Sequence, residues 1–349
     1  LLGTVVLVWA NLSFRDLAFG QQIQPDTTLG AESSVVTSGV IINNNVSNLV
    51  TVGAVRGANL FHSFKEFNIS AGQRVYFNNP AGVERIIARV TGGSRSIILG
   101  RLGVIGGTAD LFLLNPNGII FGPNASLDLK GSFLATTASS YIFSNSEYSA
   151  IEPSSFPILS VNIPLGLRFR NGAGEIVNQS RASDPRRVGL QVSRGKTLAL
   201  VGGNITMEGG GLTAPEGRIE LGSIVGSGQV TLREGDWAIG YEGIQNSSFG
   251  DINLRQGSFV VSRGNNGGSI DLHGRNVIIA DESFLFSSVV SGLKPSSIKI
   301  TASDSFELVS GSSLVTSTFG DADGGDVLIK AKKIFLRDRA YIQSASSFI

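Results

Sequence analysis

The chain has 349 residues, a formal net charge of +1 and only 16% charged residues, a balance that gives no electrostatic case for nucleic acid or an anionic membrane surface as partner. Its 42% hydrophobic content is too high for a disordered chain. With 45 glycines, abundant Val, Ile and Leu, and many Ser, Thr and Asn, it is expected to be an all-β protein with many tight turns, as one elongated or two globular units.

Residues 1–12 form an apolar run of signal-peptide length, too short to span a bilayer as a helix. Ala18-Phe19-Gly20 puts small residues where a signal peptidase cuts, so residues 1–20 read as a signal-peptide remnant. From Ile23 short strands and turns begin. Residues 34–37, 39–42 and 46–55 are β-rich, with Asn43-Asn44-Asn45 as a turn or the start of an asparagine stack. Residues 60–69 carry Phe61, Phe64 and Phe67 three apart, but Asn68, Ser70 and Gly72 follow at once and no helix-length pattern develops. This segment is expected to be an aromatic-rich loop or cap.

Residues 75–77, 86–90, 97–99, 111–114, 119–121, 127–129 and 133–135 are successive short strands punctuated by glycines. Between two of them lies Asn115-Pro116-Asn117-Gly118. Pro116 presets φ for the second position of a β-turn. Asn117 and Gly118 tolerate positive φ, and Asn115 can bond its side chain back to the backbone. Residues 147–164 hold Pro153, Pro157 and Pro164 and read as an extended excursion or linker.

Beyond it the chain repeats. Ile219-Glu220-Leu221, Val230-Thr231-Leu232, Ile252-Asn253-Leu254, Ile270-Asp271-Leu272, Ile298-Lys299-Ile300 and Val327-Leu328-Ile329 read as one recurring strand. After the last three come second strands at Val277, Phe306 and Ile334, and third strands at Phe284, Ser313 and Ala340. Three strands per repeat with inward residues alternating is the pattern of a parallel β-helix, whose coils bury their inner faces only by stacking. About 15 coils rising about 4.8 Å each would make a rod on the order of 70 Å. The chain stops at Ile349 inside a strand-like run without a visible cap, which suggests continuation into a longer protein.

Catalytic chemistry finds little support. The acids Asp271, Asp281, Glu282, Asp304, Glu307, Asp321, Asp323, Asp326 and Asp338 sit at different repeat offsets, so they read as solvated turn carboxylates rather than a converging glycosidase pair. The 321–326 loop lacks the length and bidentate acid of an EF-hand loop. His62 and His273 have no ligand at metal spacing and are expected on surface or loop. Arg181, Arg186 and Arg187 read as a solvated loop, Gly209-Gly210-Gly211 precedes no phosphate-binding helix, and the Ser-rich runs have no His partner.

Asn115-Pro116-Asn117-Gly118 between apolar strands resembles the signature of the N-terminal two-partner secretion domain, or haemagglutination activity domain, of filamentous-haemagglutinin-type exoproteins. Residues 57–68, 75–82, 86–93 and 121–138 resemble family segments in the same order, so the similarity covers roughly 21–143. Within them Asn59, His62, Phe64, Phe67, Asn68, Asn79 and Pro80 are weaker family-like positions. The family's second motif, Asn-Pro-Asn-Leu, is absent, and Asn79-Pro80-Ala81-Gly82 is only its look-alike.

The resemblance implies a right-handed single-stranded parallel β-helix (a β-solenoid) with an N-terminal cap and extra-helical hairpins or loops. It divides the chain into a signal remnant (1–20), a secretion domain (21–146), the excursion (147–164) and further β-helix repeats (165–349). It implies a secreted or cell-surface adhesin passenger of a Gram-negative-type envelope. Such a passenger travels through the periplasm and is exported by an outer-membrane TpsB barrel of the Omp85 type, with Asn115, Pro116, Asn117 and Gly118 as secretion and folding motif. No cofactor, metal, nucleic acid, enzymatic activity or stable membrane insertion is expected. Host-cell, neighbouring-cell or carbohydrate surfaces are the ligand classes it leaves open. The absence of cysteine suits passage of an unfolded chain, although a core of this size needs no disulfide. The alternatives are a β-helical polysaccharide lyase or hydrolase, and a cytolysin of the same secretion class.

Overall fold

The computed structural model describes residues 22–154, 161–182, 188–292, 294–319 and 323–347. The expected signal remnant, Arg186, Arg187, Asp321 and Ile349 lie outside them.

Strands of successive coils pair in parallel along three faces. On the first face Leu60, Ile86, Leu111, Phe133, Leu198, Ile219, Ile270, Ile298 and Val327 stack in one inward column. On the second, Ile119, Ile176, Ile205, Ile252, Val277, Phe306 and Ile334 do the same. The third face runs Val75, Leu102, Leu127 and then, in a separate ladder, Leu190, Leu212, Val260, Leu285, Leu314 and Ile342. Apart from Ile334 and Ile342 of the last rung, which are exposed, these side chains form one continuous core. The protein is therefore a parallel β-helix, as the triplet repeat predicts.

Two expectations about the repeat need correction. The nine described rungs of the first face give a rod of about 40 Å, not about 70 Å, because rungs recur about every 4.8 Å. The six matched triplets are not one strand either. Those at Ile219, Ile270, Ile298 and Val327 share a column, Ile252 belongs to the second face, and Val230 lies in an antiparallel hairpin outside the helix. An apolar-polar-apolar triplet fits any half-buried strand, so the pattern alone does not separate faces.

The N-terminal coils are capped by the hairpin Ser34–Ile42 and Asn45–Val52. Its turn residues Asn43 and Asn44 sit at φ 49° and 61°, as a type I′ turn requires. The segment expected as an aromatic loop is instead the nine-residue strand Asn59–Phe67. Ile23–Pro25 and Ala54–Arg56 pair antiparallel with it. Phe64 and Phe67 face inward and pack with Phe77, with ring centroids 5.0–6.1 Å apart. A strand shows every second residue to one side, and this one is buried on both sides, which removes the alternation that marks a strand.

Both excursions leave at the same corner, between the first and second faces. One follows Phe133–Thr136, the other Arg218–Ser223. Their strands Glu147–Ser149, Ser140–Ile142, Gly166–Phe169, Gly228–Leu232 and Ile239–Ile244 merge into one antiparallel sheet. This sheet covers the outer side of the first face. There Phe61, Ile87, Phe112, Leu134 and Ala199 meet Tyr141, Tyr148, Leu167, Phe169, Val230 and Trp237 in a second core. The expected excursion at 147–164 thus begins inside a sheet, and residues 155–160 of it lie outside the described residues.

Candidate functional site

The tetrapeptide 115–118 turns the chain from the first face to the second. Gly118 N–H donates to the Asn115 carbonyl at 3.2 Å, closing the turn. Asn117 N–H donates to Asn115 Oδ1 at 3.0 Å, the Asx bond that the sequence predicts. Of the two residues expected to tolerate positive φ, only Gly118 uses it, at φ +121°.

The turn clamps the coils on either side. Asn115 is fully buried, and its Nδ2 donates back to Ser94 O (3.0 Å) and Ser96 Oγ (2.9 Å) of the preceding coil. Asn117 Nδ2 donates to Gly92 O at 2.7 Å, and Ser96 N–H donates to Gly118 O at 3.0 Å. Forward, the Pro116 carbonyl accepts from Gly174 N–H at 2.8 Å and the Glu175 carbonyl from Ile119 N–H at 3.0 Å. Gly174 arrives only after the first excursion. A Cβ on Gly174 would lie 2.3 Å from the Asn117 carbonyl carbon, and one on Gly118 would lie 3.0 Å from Glu175 O. The corner is built for backbone against backbone.

The other family-like positions divide between two corners and the core. Asn68 shares the 115–118 corner, where its Oδ1 accepts from Ile97 N–H at 2.8 Å. It borders a cleft of about 540 Å³ lined by Gln22, Gln24, Ser94, Arg95, Ile97 and Leu99 among others, so the cleft adjoins the turn. Asn79 and Pro80 lie at the corner from the third face to the first. Asn79 Nδ2 donates to Val83 O (2.8 Å) and Pro80 O (3.0 Å), and its Oδ1 accepts from Ala109 N–H (3.0 Å) in the next coil. Asn59 is fully buried at the start of its strand. It accepts from Arg85 Nε at 2.7 Å and donates to Asn162 O in the excursion.

Neither histidine is where the sequence suggests. His62 faces the core, fully buried between Phe64 and Phe77, with Nδ1 2.8 Å from Ser34 Oγ. Burial pushes its pKa down to about 3. His273 is half-buried under the antiparallel sheet, its ring stacked 4.1 Å from Tyr241. Desolvation, aided by Lys299, lowers it to about 4. Solitary histidines carry no pattern that reports burial, whereas the strand register does.

The acids also align more than their offsets suggest. Asp281 and Asp338 occupy equivalent left-handed turn positions two coils apart, with Ser310 between them. Glu220 and Asp271 are neighbours on adjacent rungs, and both bond Arg218 Nη1, at 3.1 and 2.5 Å. Glu220 is 2% exposed, and burial pushes its carboxyl up to about 8, with Asp271 adding to the rise and Arg218 opposing it. Glu220 and Asp271 line a cleft of about 400 Å³ together with Arg218, Arg233, His273 and Lys299. Among the described residues no cluster of three His, Cys, Asp or Glu could hold a metal, and no helix is long and apolar enough to cross a membrane.

Residues 21–272 match the family model described as the TPS secretion domain. The chain belongs to this family. The match runs through both excursions, past the expected limit at 146. Among solved structures the chain is similar to the filamentous hemagglutinin secretion domain at 15% identity and TM-score 0.55, over 94% of this chain and 100% of that one. A second similar structure is the HMW1 secretion domain from Haemophilus influenzae, at 16% identity and TM-score 0.49 over the same shares. No curated protein matches the chain. Within the secretion-domain fold, reasoning from sequence missed Gly92, Ser94, Ser96 and Gly174. Their only signal was the glycines, which mark close approaches without saying to what.

Proposed function

We propose that this chain is the N-terminal part of an exoprotein passenger. It is carried through the periplasm and exported by a TpsB-type outer-membrane barrel of the Omp85 class, and it is displayed or released outside the cell. The observation that carries the reading is the family match over residues 21–272 together with a motif corner that ties successive coils by side-chain and backbone bonds. Asn115, Pro116, Asn117 and Gly118 set the first tight register of the stack, and later coils add along the axis. The cleft beside the turn, with Ile97 42% exposed on its wall, is the surface offered to the transporter. The rod serves as a stalk whose outer faces contact host-cell, neighbouring-cell or carbohydrate surfaces, with no catalytic role and no cofactor.

The test is export of the chain behind an intact signal peptide, with and without the partner barrel encoded beside it. Appearance in the medium only with the partner supports the reading. Periplasmic accumulation in both cases removes it.

A further inference from the structure

The largest fully buried side chain of the described residues is that of Arg89, in the strand Arg85–Val90. It points outward from the first face, into the space that the antiparallel sheet closes. Nε donates to Ser63 Oγ at 2.9 Å, Nη2 to Thr28 Oγ1 at 2.8 Å and Nη1 to the Ser149 carbonyl at 2.6 Å. The guanidinium lies 4.0 Å from the centroid of the Tyr148 ring. A buried cation is tolerated only where its charge is compensated. Here the compensation comes through hydroxyls. Ser63 and Thr28, which accept from Arg89, donate in turn to Asp26 Oδ2 (2.7 Å) and Oδ1 (2.6 Å). Thr91 donates to Asp26 as well, at 2.7 Å. Burial raises the Asp26 carboxyl, but these bonds outweigh it and hold the group below its ordinary value, so it is the anion of the set.

Three parts of the chain meet on this one cation. Asp26 and Thr28 follow the N-terminal strand Ile23–Pro25, Ser63 belongs to the first coil, and Tyr148 and Ser149 are the edge strand of the extra-helical sheet. Tyr148 also donates its hydroxyl to the His62 carbonyl at 2.9 Å. The sheet can cover Arg89 without stranding a bare charge only when Asp26 is in place, and Asp26 is placed by the N-terminal strand. We infer that Arg89 is a latch joining the N-terminal strand to the extra-helical sheet, so that drawing away either one frees the other. A grip on residues 22–28 then leaves the sheet undocked and the outer residues Phe61, Ile87 and Phe112 uncovered. This coupling is a property of the chain alone and stands whether or not the export reading holds.

Hydrogen–deuterium exchange of the whole purified chain tests it. In Asp26→Asn the compensating charge is gone. Peptides covering 147–149 should exchange about tenfold faster although the hydrogen bonds of Asp26 go to Thr28, Ser63 and Thr91, while 110–114 stays as in the parent. Tyr148→Leu should speed exchange at 23–28 by a similar factor, because coupling between two sites is reciprocal. Thr28→Val, which removes one hydroxyl bridge, replaces Asp26→Asn should that variant not fold. Unchanged exchange at the distant segment in either direction overturns the latch. So does a uniform rise that includes 110–114 and 133–136, because Arg89 is then only a core support.

Discussion

At the scale of single residues, buried asparagines do the work that disulfides do elsewhere. Asn115, Asn79 and Asn59 each bond backward or forward to another coil or to the excursion. Replacing Asn115 by Ala removes two donated bonds and leaves the buried Ser96 hydroxyl with one partner fewer, and should cost about 2–4 kcal/mol in urea unfolding. Gly118→Val forces a branched side chain to φ +121° against Glu175 O, with a cost of about 1–3 kcal/mol and slower refolding. Parent-like refolding rates in that variant would remove the corner from the folding start. Ile97→Asp should behave differently. Ile97 is exposed, so stability should stay within about 0.5 kcal/mol while export falls; normal export would clear the cleft of a role. His62 gives a pH signature. In the unfolded chain it takes up a proton near its ordinary 6.5, but in the fold only near 3, so its contribution is full above 6.5 and is lost as pH falls toward 3. His62→Leu should flatten that acid loss, read as the urea midpoint between neutral and mildly acidic buffer.

At the scale of elements, the antiparallel sheet explains features that a bare β-helix would not. A β-helix strand ordinarily shows water its outer side, yet Arg85–Val90 and Thr197–Gly202 are buried throughout because the sheet lies on them. The outward row runs Phe61, Ile87, Phe112, Leu134, Ala199 and then Glu220, Asp271 and Lys299, so it turns charged where the cover ends. Glu220 is the last fully covered rung, and the next, with Asp271 and His273, is half covered. The fold keeps the Glu220 proton up to about 8, whereas the unfolded chain releases it near 4.5. Between those values the native state holds the extra proton, so this contribution is full below 4.5 and drains away as pH rises to 8. Glu220→Gln, which keeps the shape without the titration, should remove that slope and leave the variant relatively more stable at pH 8 than at pH 5. An unchanged slope would place the titration elsewhere. Gly222 belongs to the same device, because a Cβ there would fall 2.2 Å from the Tyr241 hydroxyl that the sheet brings in.

At the scale of the whole molecule, stability is shared along a stack in which each coil contacts mainly its neighbours. Much of this was legible in the chain itself. Alternation in Ile270-Asp271-Leu272 and Ile298-Lys299-Ile300, with second and third strands at matching offsets, settles a three-faced coil, because side chains in a strand alternate with period two and only stacking closes the core. Asn115 to Gly118 as a turn was also legible, because φ preferences and Asx bonding are local. What the turn holds was not. Its partners Ser94 and Gly174 come from other coils, and residues that are distant in sequence meet only through register. The same limit hid the strand Asn59–Phe67, the burial of His62 and the common origin of the two excursions. The strand and the excursions depend on a second layer covering the first face, and the burial of His62 on the register that turns it into the inner core; a chain records which residues are apolar but not which surface will cover them. Local rules therefore determined the coil and its turns. Tertiary structure alone decided the outer sheet, the Arg89 network and the clamping of the motif, because these are contacts between segments whose meeting is fixed by the stack and not by their own sequence.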